Sequence, residues 1–187
     1  VEVKSVGATL GTNALPLSLK AGAIGIGLVF LFMLIFYRVP GLIANIALVL
    51  YIVMVLGTFV SIDAIITLSG IAGFLLTIGM AVDANILIFE RIKEELSTGK
   101  SIRSSVDAGF NRALTSIMDS NITTIIAAVV LYNLGTGAVK GFALTLMIGI
   151  VLSMLTAVIV TRCLLKLAVN AGLLNSLAAF GAKRRAE

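Results

Sequence analysis

Long unbroken apolar runs dominate this chain, and polar residues gather in the short gaps between them. Five runs have about the length that crosses a bilayer, roughly 20 residues at 1.5 Å rise each. They cover approximately 21–37, 40–60, 65–89, 113–133 and 141–165. Pro40 opens the second, where a missing N–H costs nothing because the first-turn donors have no intrahelical acceptor. The pattern predicts an all-α polytopic membrane protein with five transmembrane helices, a bundle over 21–166. The opening VEVKSVGATLGTNALPLS, within 1–20, is mixed and mildly polar and reads as an outer-side lead-in from something folded upstream. A start at Val1, with no Met and no signal peptide, reads as a fragment or a processed product.

Polar positions in the gaps orient the spans. Five crossings put the termini on opposite sides. Lys4, Lys20 and Lys140 fall on the side of the N-terminus. Arg38, Arg91, Lys93, Lys100, Arg103, Arg112, Arg162, Lys166, Lys183, Arg184 and Arg185 fall on the other. The tally is 3 against 11, which together make the 14 basic residues of the chain. Basic loops stay cytoplasmic, so the N-terminus is expected outside and the C-terminus in the cytoplasm. The connection 91–112 is then cytoplasmic. In it Ile102, Val106, Phe110 and Leu114 repeat every four residues, with Ser101 as an N-cap and Gly99 as a C-cap. That stripe fits a short helix in the membrane interface, or a plain extension of the spanning helices. Arg91 and Glu95 have the spacing of an i,i+4 pair. The tail 167–187 is too short to span and is expected along the cytoplasmic surface, with Lys183, Arg184 and Arg185 toward anionic lipid.

Composition agrees with the pattern. The chain has 187 residues, 59% hydrophobic and 12% charged. A soluble domain carries about twice that charge. The net charge of +5 therefore belongs to the membrane topology and does not indicate nucleic acid. There is no His and one Cys, Cys163. This removes the usual neutral-pH acid–base residue, the commonest zinc ligand and any internal disulfide. No P-loop, nucleophile arrangement or metal-ligand spacing is present, so neither an enzyme nor a cofactor is expected.

Two acids interrupt the apolar runs, Asp83 in the third and Asp119 in the fourth. A carboxylate at mid-membrane costs roughly 2.5–3.5 kcal/mol on insertion scales. Asp83 lies eight residues before Arg91, and Asp119 seven after Arg112. Both are then about 10–12 Å inside the same boundary. Lipid-facing carboxylates are costly, so both are expected to face the bundle interior, on neighbouring antiparallel helices. Close like charges in low dielectric shift at least one of them toward the protonated form, as a proton-handling site requires. Asn85 adds an amide near Asp83. Ser120, Asn121, Thr123 and Thr124 surround Asp119, with Ser116, Ser120 and Thr124 forming a polar stripe. Such hydroxyls line water wires, or merely bond their own i−4 carbonyls. Gly79, Gly73 and Gly25 are candidate helix-packing positions. Asn45 alone reads as packing glue.

The run GMAVDANILIFERIKEEL at 79–96 resembles the signature of the SecD/SecF family of protein-export membrane proteins, in its SecD branch. Further similarity lies in LSGIAGFLLTIG before it, DSNITT at 119–124, LGTGAVKGFALTL at 134–146 and SVGATLG near the start. Gly79, Val82, Asp83, Ile86 and Glu90 also resemble a looser pattern of the RND superfamily. The resemblance implies half of a pseudo-symmetric RND-like bundle, spans two to six of six, without the first span and its large external domain. It implies pairing with SecF, which contributes a charged partner, and association with the SecY, SecE and SecG channel. It implies use of the proton-motive force to draw preproteins outward, the external domain making the preprotein contact. Asp83 is the carboxylate it implicates in proton handling, and Asp119 falls in its second motif. Two other readings are half of an RND-type small-molecule exporter and a purely structural scaffold for the channel.

Overall fold

The computed structural model describes residues 8–64, 67–172, 174 and 180, with side chains from residue 14 onward. Its elements are α1 (Ala8–Ser61), α2 (Leu68–Ser97), α3 (Ile102–Leu134), α4 (Ala138–Leu155), a π-helical segment (Thr156–Thr161) and α5 (Arg162–Asn170). The described residues are all helical apart from the turns. Four helical stretches are long and apolar enough to cross a membrane: Ala14–Ser61, Leu68–Ser97, Ile102–Leu134 and Ala138–Asn170. The sequence predicts five, and the difference lies entirely in α1.

α1 holds two of the expected segments with a break at Arg38, whose backbone leaves the helical region (φ 49°, ψ −115°). Pro40 follows two residues later. It has no N–H to lose and disfavours helical geometry at Val39, so the first helix ends before it and the chain reverses. The second half folds back on the first. Asn45 Nδ2 donates to the Phe30 carbonyl at 3.2 Å, although these residues would lie about 22 Å apart along a straight helix. A Cβ added to Gly41 would sit 2.0 Å from the Met33 carbonyl oxygen. Only glycine admits so close a return.

α2 is the central element and touches α1, α3, α4 and the π-helical segment. Its seam with α4 is closed by small residues. Gly73 lies against Phe142 and Thr145, where an added Cβ would come within 3.2 Å of the former. Gly149 of α4 lies against Thr77, which would stand 2.6 Å from an added Cβ. Gly73 thus stands at a close approach of α4. Gly25 and Gly79 have nothing within 4 Å of an added Cβ among the described residues. Both lie on faces that the other described residues leave open.

The expected separate interfacial helix is replaced by continuous ones. α2 runs to Ser97 and α3 starts at Ile102, joined by a tight turn with Gly99 at φ +84°. Ser101 caps α3, its hydroxyl accepting from the Ser104 N–H at 3.4 Å. The apolar stripe faces the core, with Val106 and Phe110 buried, and packs with Ile92 and Leu96. Burial against α2 satisfies it, so it needs no membrane surface. At the same end Glu95 is buried and accepts from Lys100 at 2.5 Å and Arg112 at 2.7 Å. The expected Arg91–Glu95 pair does not form. Arg91 reaches Glu94 instead, at 2.8 Å. Of the tail 167–187, α5 covers residues to Asn170, and Leu174 and Phe180 are buried in the core. Lys183, Arg184 and Arg185 lie outside the described residues.

Candidate functional site

Asp83 projects from the middle of α2, 14 residues before its end at Ser97. Around it α2 presents Met80, Asp83, Ala84 and Leu87, and α3 presents Ile117, Ser120, Asn121 and Thr124. Each set follows the i, i+3, i+4, i+7 spacing of one helix face. Together they line a cavity of about 150 Å³. That volume holds several waters, and the lining supplies polar partners for them. Asp83 itself is exposed on this chain, and within the described residues its carboxylate has neither a hydrogen bond nor an ion pair.

The cavity groups have their own local bonds. Ser120 Oγ donates to the Ile117 carbonyl at 3.1 Å, Asn121 Nδ2 to the same carbonyl at 2.8 Å, and Thr124 Oγ1 to the Ser120 carbonyl at 2.9 Å. These bonds occupy the hydroxyl protons and one amide N–H of Asn121, and leave the hydroxyl oxygens as acceptors. A protonated Asp83, or a water bound by it, is the complementary donor. Met80, Leu87 and Ile117 make the remainder of the wall apolar.

The expected carboxylate pair is not assembled within the chain. Helical residues step by 100°, which places Asp119 about 150° around α3 from the cavity-facing set. It is exposed, and it too has no partner among the described residues. Thr123 shares that side and donates to the Asp119 carbonyl at 3.0 Å. Asn85 is also absent from the site. Two residues beyond Asp83, it points the opposite way, is buried, and accepts from Thr161 Oγ1 at 2.9 Å. Sequence proximity places Asn85 beside Asp83, and equal depth places Asp119 there, whereas the 100° step turns both away.

Other groups were not singled out by sequence. Thr161 ends the π-helical segment and supplies the buried bond to Asn85. Tyr37 donates to Glu90 at 2.9 Å, and Lys93 donates to the same oxygen at 2.9 Å while lying over the Tyr37 ring. That cluster ties the break in α1 to the charged end of α2. Its signal in the sequence was Glu90, within the run resembling the family signature.

α3 is the least covered helix. Only 17% of its apolar window is buried, against 44–50% in the other three spans. On α2 the exposed positions Ala72, Leu76, Gly79 and Asp83 form one stripe. The side of the molecule that carries Asp83 is therefore open.

The model of the family described as "Protein export membrane protein SecD/SecF, C-terminal" matches residues 1–171. The protein translocase subunit SecD of Acidaminococcus fermentans is 52% identical over 183 residues, covering 98% of this chain and 44% of its own length. The protein translocase subunit SecDF of Bacillus subtilis is 54% identical over 166 residues, covering 89% of this chain and 22% of that protein. The chain thus spans less than half the length of these relatives. A crystal structure of SecDF from Thermus thermophilus, described as a translocon-associated membrane protein, superposes with a TM-score of 0.87 at 40% identity, over 90% of this chain and 24% of that one. With a family match over nearly all its length, and a helical arrangement shared with the solved SecDF, the chain belongs to the SecD/SecF family of protein-export membrane proteins.

Proposed function

We propose that this chain is the C-terminal membrane part of a SecD-type subunit that couples the proton-motive force to outward movement of preproteins. The observation that carries the reading is Asp83. It is a mid-span carboxylate on an open, partly polar cavity, with no countercharge among the described residues. An ionised group in such a place is costly without a partner. A cycle of protonation and deprotonation, or a cation from a second subunit, resolves that cost. A SecF-type subunit covers the stripe Ala72, Leu76, Gly79 and Asp83, and Gly79 lets its helix come close. The SecY, SecE and SecG channel is the wider partner, and preprotein contact belongs to a region outside this chain. No covalent bond in the preprotein is made or broken.

The chain crosses the membrane five times, with the α1 hairpin counting as two. Its N-terminus is outside and its C-terminus cytoplasmic. Support comes from the basic groups themselves. Arg162 and Lys166 of α5 reach Asp107 of α3 at 3.5 and 2.8 Å. The end of α5 therefore stands beside the Lys100–Arg112 end of α3, and the basic residues of both gather on one side.

The test is Asp83→Asn in the full-length protein, assayed by translocation into vesicles under an imposed pH gradient, with SecF co-purification as the assembly control. Asn preserves size and cannot cycle a proton. Gradient-dependent export is expected to vanish with SecF retained. Normal export would refute proton coupling at Asp83. Loss of both export and SecF would assign the residue to the scaffold reading. Replacing the pH gradient with a sodium gradient identifies the ion.

A further inference from the structure

At the basic end of the bundle, away from Asp83, the start of α3 and the end of α5 enclose a second cavity. It has a volume of about 240 Å³ and is lined by Arg103, Val106, Asp107, Lys166, Val169 and Asn170. We propose that this notch binds the phosphate of an anionic phospholipid, whose acyl chain runs down the exposed face of the last span. The assignment uses only membership of the membrane and does not depend on proton coupling.

Charge comes first. Arg103, Arg162 and Lys166 bring three cations to the neighbourhood of a single carboxylate, Asp107. Lys166 and Arg162 bond Asp107 at 2.8 and 3.5 Å, which neutralises it and holds their side chains in place. Arg162 also lies over the Phe110 ring, 5.0 Å from its centre. Arg103 uses one guanidinium nitrogen on Asn170 Oδ1, at 2.6 Å. Its remaining N–H groups, and those of the Lys166 ammonium not directed at Asp107, are donors for a phosphate diester. Net positive charge remains after the internal pairs are counted. Basic pockets between helix ends at the membrane surface suit such headgroups.

Shape then separates a lipid from a soluble anion. Val151, Leu155, Ile159, Cys163 and Leu167 recur every four residues and are all exposed. They make one apolar ridge about 24 Å long. It leads to Lys166 and Asn170 in the notch and exceeds one leaflet of hydrocarbon, about 15 Å. A free phosphate has no use for that ridge. An acyl chain hung from a headgroup in the notch lies along it.

The experiment uses the full-length protein in phosphatidylcholine nanodiscs containing a minor fraction of phosphatidylglycerol, with bound lipid counted by native mass spectrometry. The wild type is expected to retain phosphatidylglycerol in excess over its share of the disc. Arg103→Gln with Lys166→Gln should lower that affinity roughly twenty-fold or more, since each basic group near the surface is worth about a factor of five. Lys20→Gln with Lys140→Gln removes the same charge elsewhere and should change nothing. Both notch side chains are exposed at their tips, so an unchanged melting temperature will show that the double variant folds. Equal retention by the notch variant and wild type, or no enrichment in wild type, overturns the proposal. Displacement by millimolar inorganic phosphate assigns the notch to a soluble anion and overturns the lipid.

Discussion

Two helices flank α2, and it meets them in opposite ways. Against α4 the surface is shut: Gly73 admits Phe142 and Thr145, Gly149 admits Thr77, and the Thr77 and Thr145 hydroxyls are spent on carbonyls of their own helices at 2.8 and 2.9 Å. Against α3 contact is close only toward the charged turn, where an added Cβ on Gly109 would come within 2.6 Å of the Ile92 backbone. Further along, the two helices enclose the Asp83 cavity. Small residues close a seam because dispersion between backbones needs contact distance. A polar lining with room for water keeps the other seam from closing. The first seam holds α2 and α4 in close contact. The second leaves the carboxylate reachable, as the proposed proton exchange requires.

The largest effect is expected from breaking the closed seam. Gly149→Val drives a branched side chain into Thr77 with no space to receive it. Overpacking of this kind costs about 1–3 kcal/mol or more. The melting temperature of the purified protein should fall by several degrees, and near-wild-type stability would show that the seam is looser than described.

Thr161→Val tests the other side of α2. It removes the donor to Asn85 and leaves a buried amide oxygen unpaired, at a cost of about 1–3 kcal/mol. Thr161→Ser keeps the hydroxyl and should recover most of the loss in a thermal melt. If Ser is no better than Val, methyl packing and not the hydrogen bond holds the site.

Gly79→Ala sharpens the comparison through its sign. The added methyl meets nothing within 4 Å among the described residues, and the helix gains up to about 1 kcal/mol from the better former. Stability of the isolated subunit should hold or rise slightly, while Gly79→Leu should weaken co-purification with SecF. Undiminished co-purification of the Leu variant would place the partner elsewhere.

The smallest effect is expected at Asp119, which lies outside the cavity. Asp119→Asn should reduce gradient-driven export by no more than a few fold, measured beside Asp83→Asn. A loss as complete as that of Asp83→Asn would return Asp119 to the proton path, through a contact made by another subunit.

Much of this was legible in the chain itself. Unbroken apolar length determined the membrane, because no water-soluble fold tolerates such runs. The break near Pro40 was legible because an imide has no donor, and the Ser101 and Gly99 caps because end groups of helices need partners. Asp83 stood out because a carboxylate within such a run is costly. The signature around it marked the family. Tertiary structure alone decided the remainder. Whether a small residue packs depends on what lies opposite: Gly73 meets Phe142, while Gly79 and Gly25 meet nothing among the described residues. Which polar residues share a cavity depends on helix rotation, which brought Ser120 and Thr124 to Asp83 and turned Asp119 and Asn85 away. The partner of Glu95 was settled by the α2–α3 turn, which carries Lys100 and Arg112 to it ahead of Arg91. Local sequence carries the costs of placing each residue in lipid, whereas contacts between spans arise only when whole helices select their rotation and depth against one another.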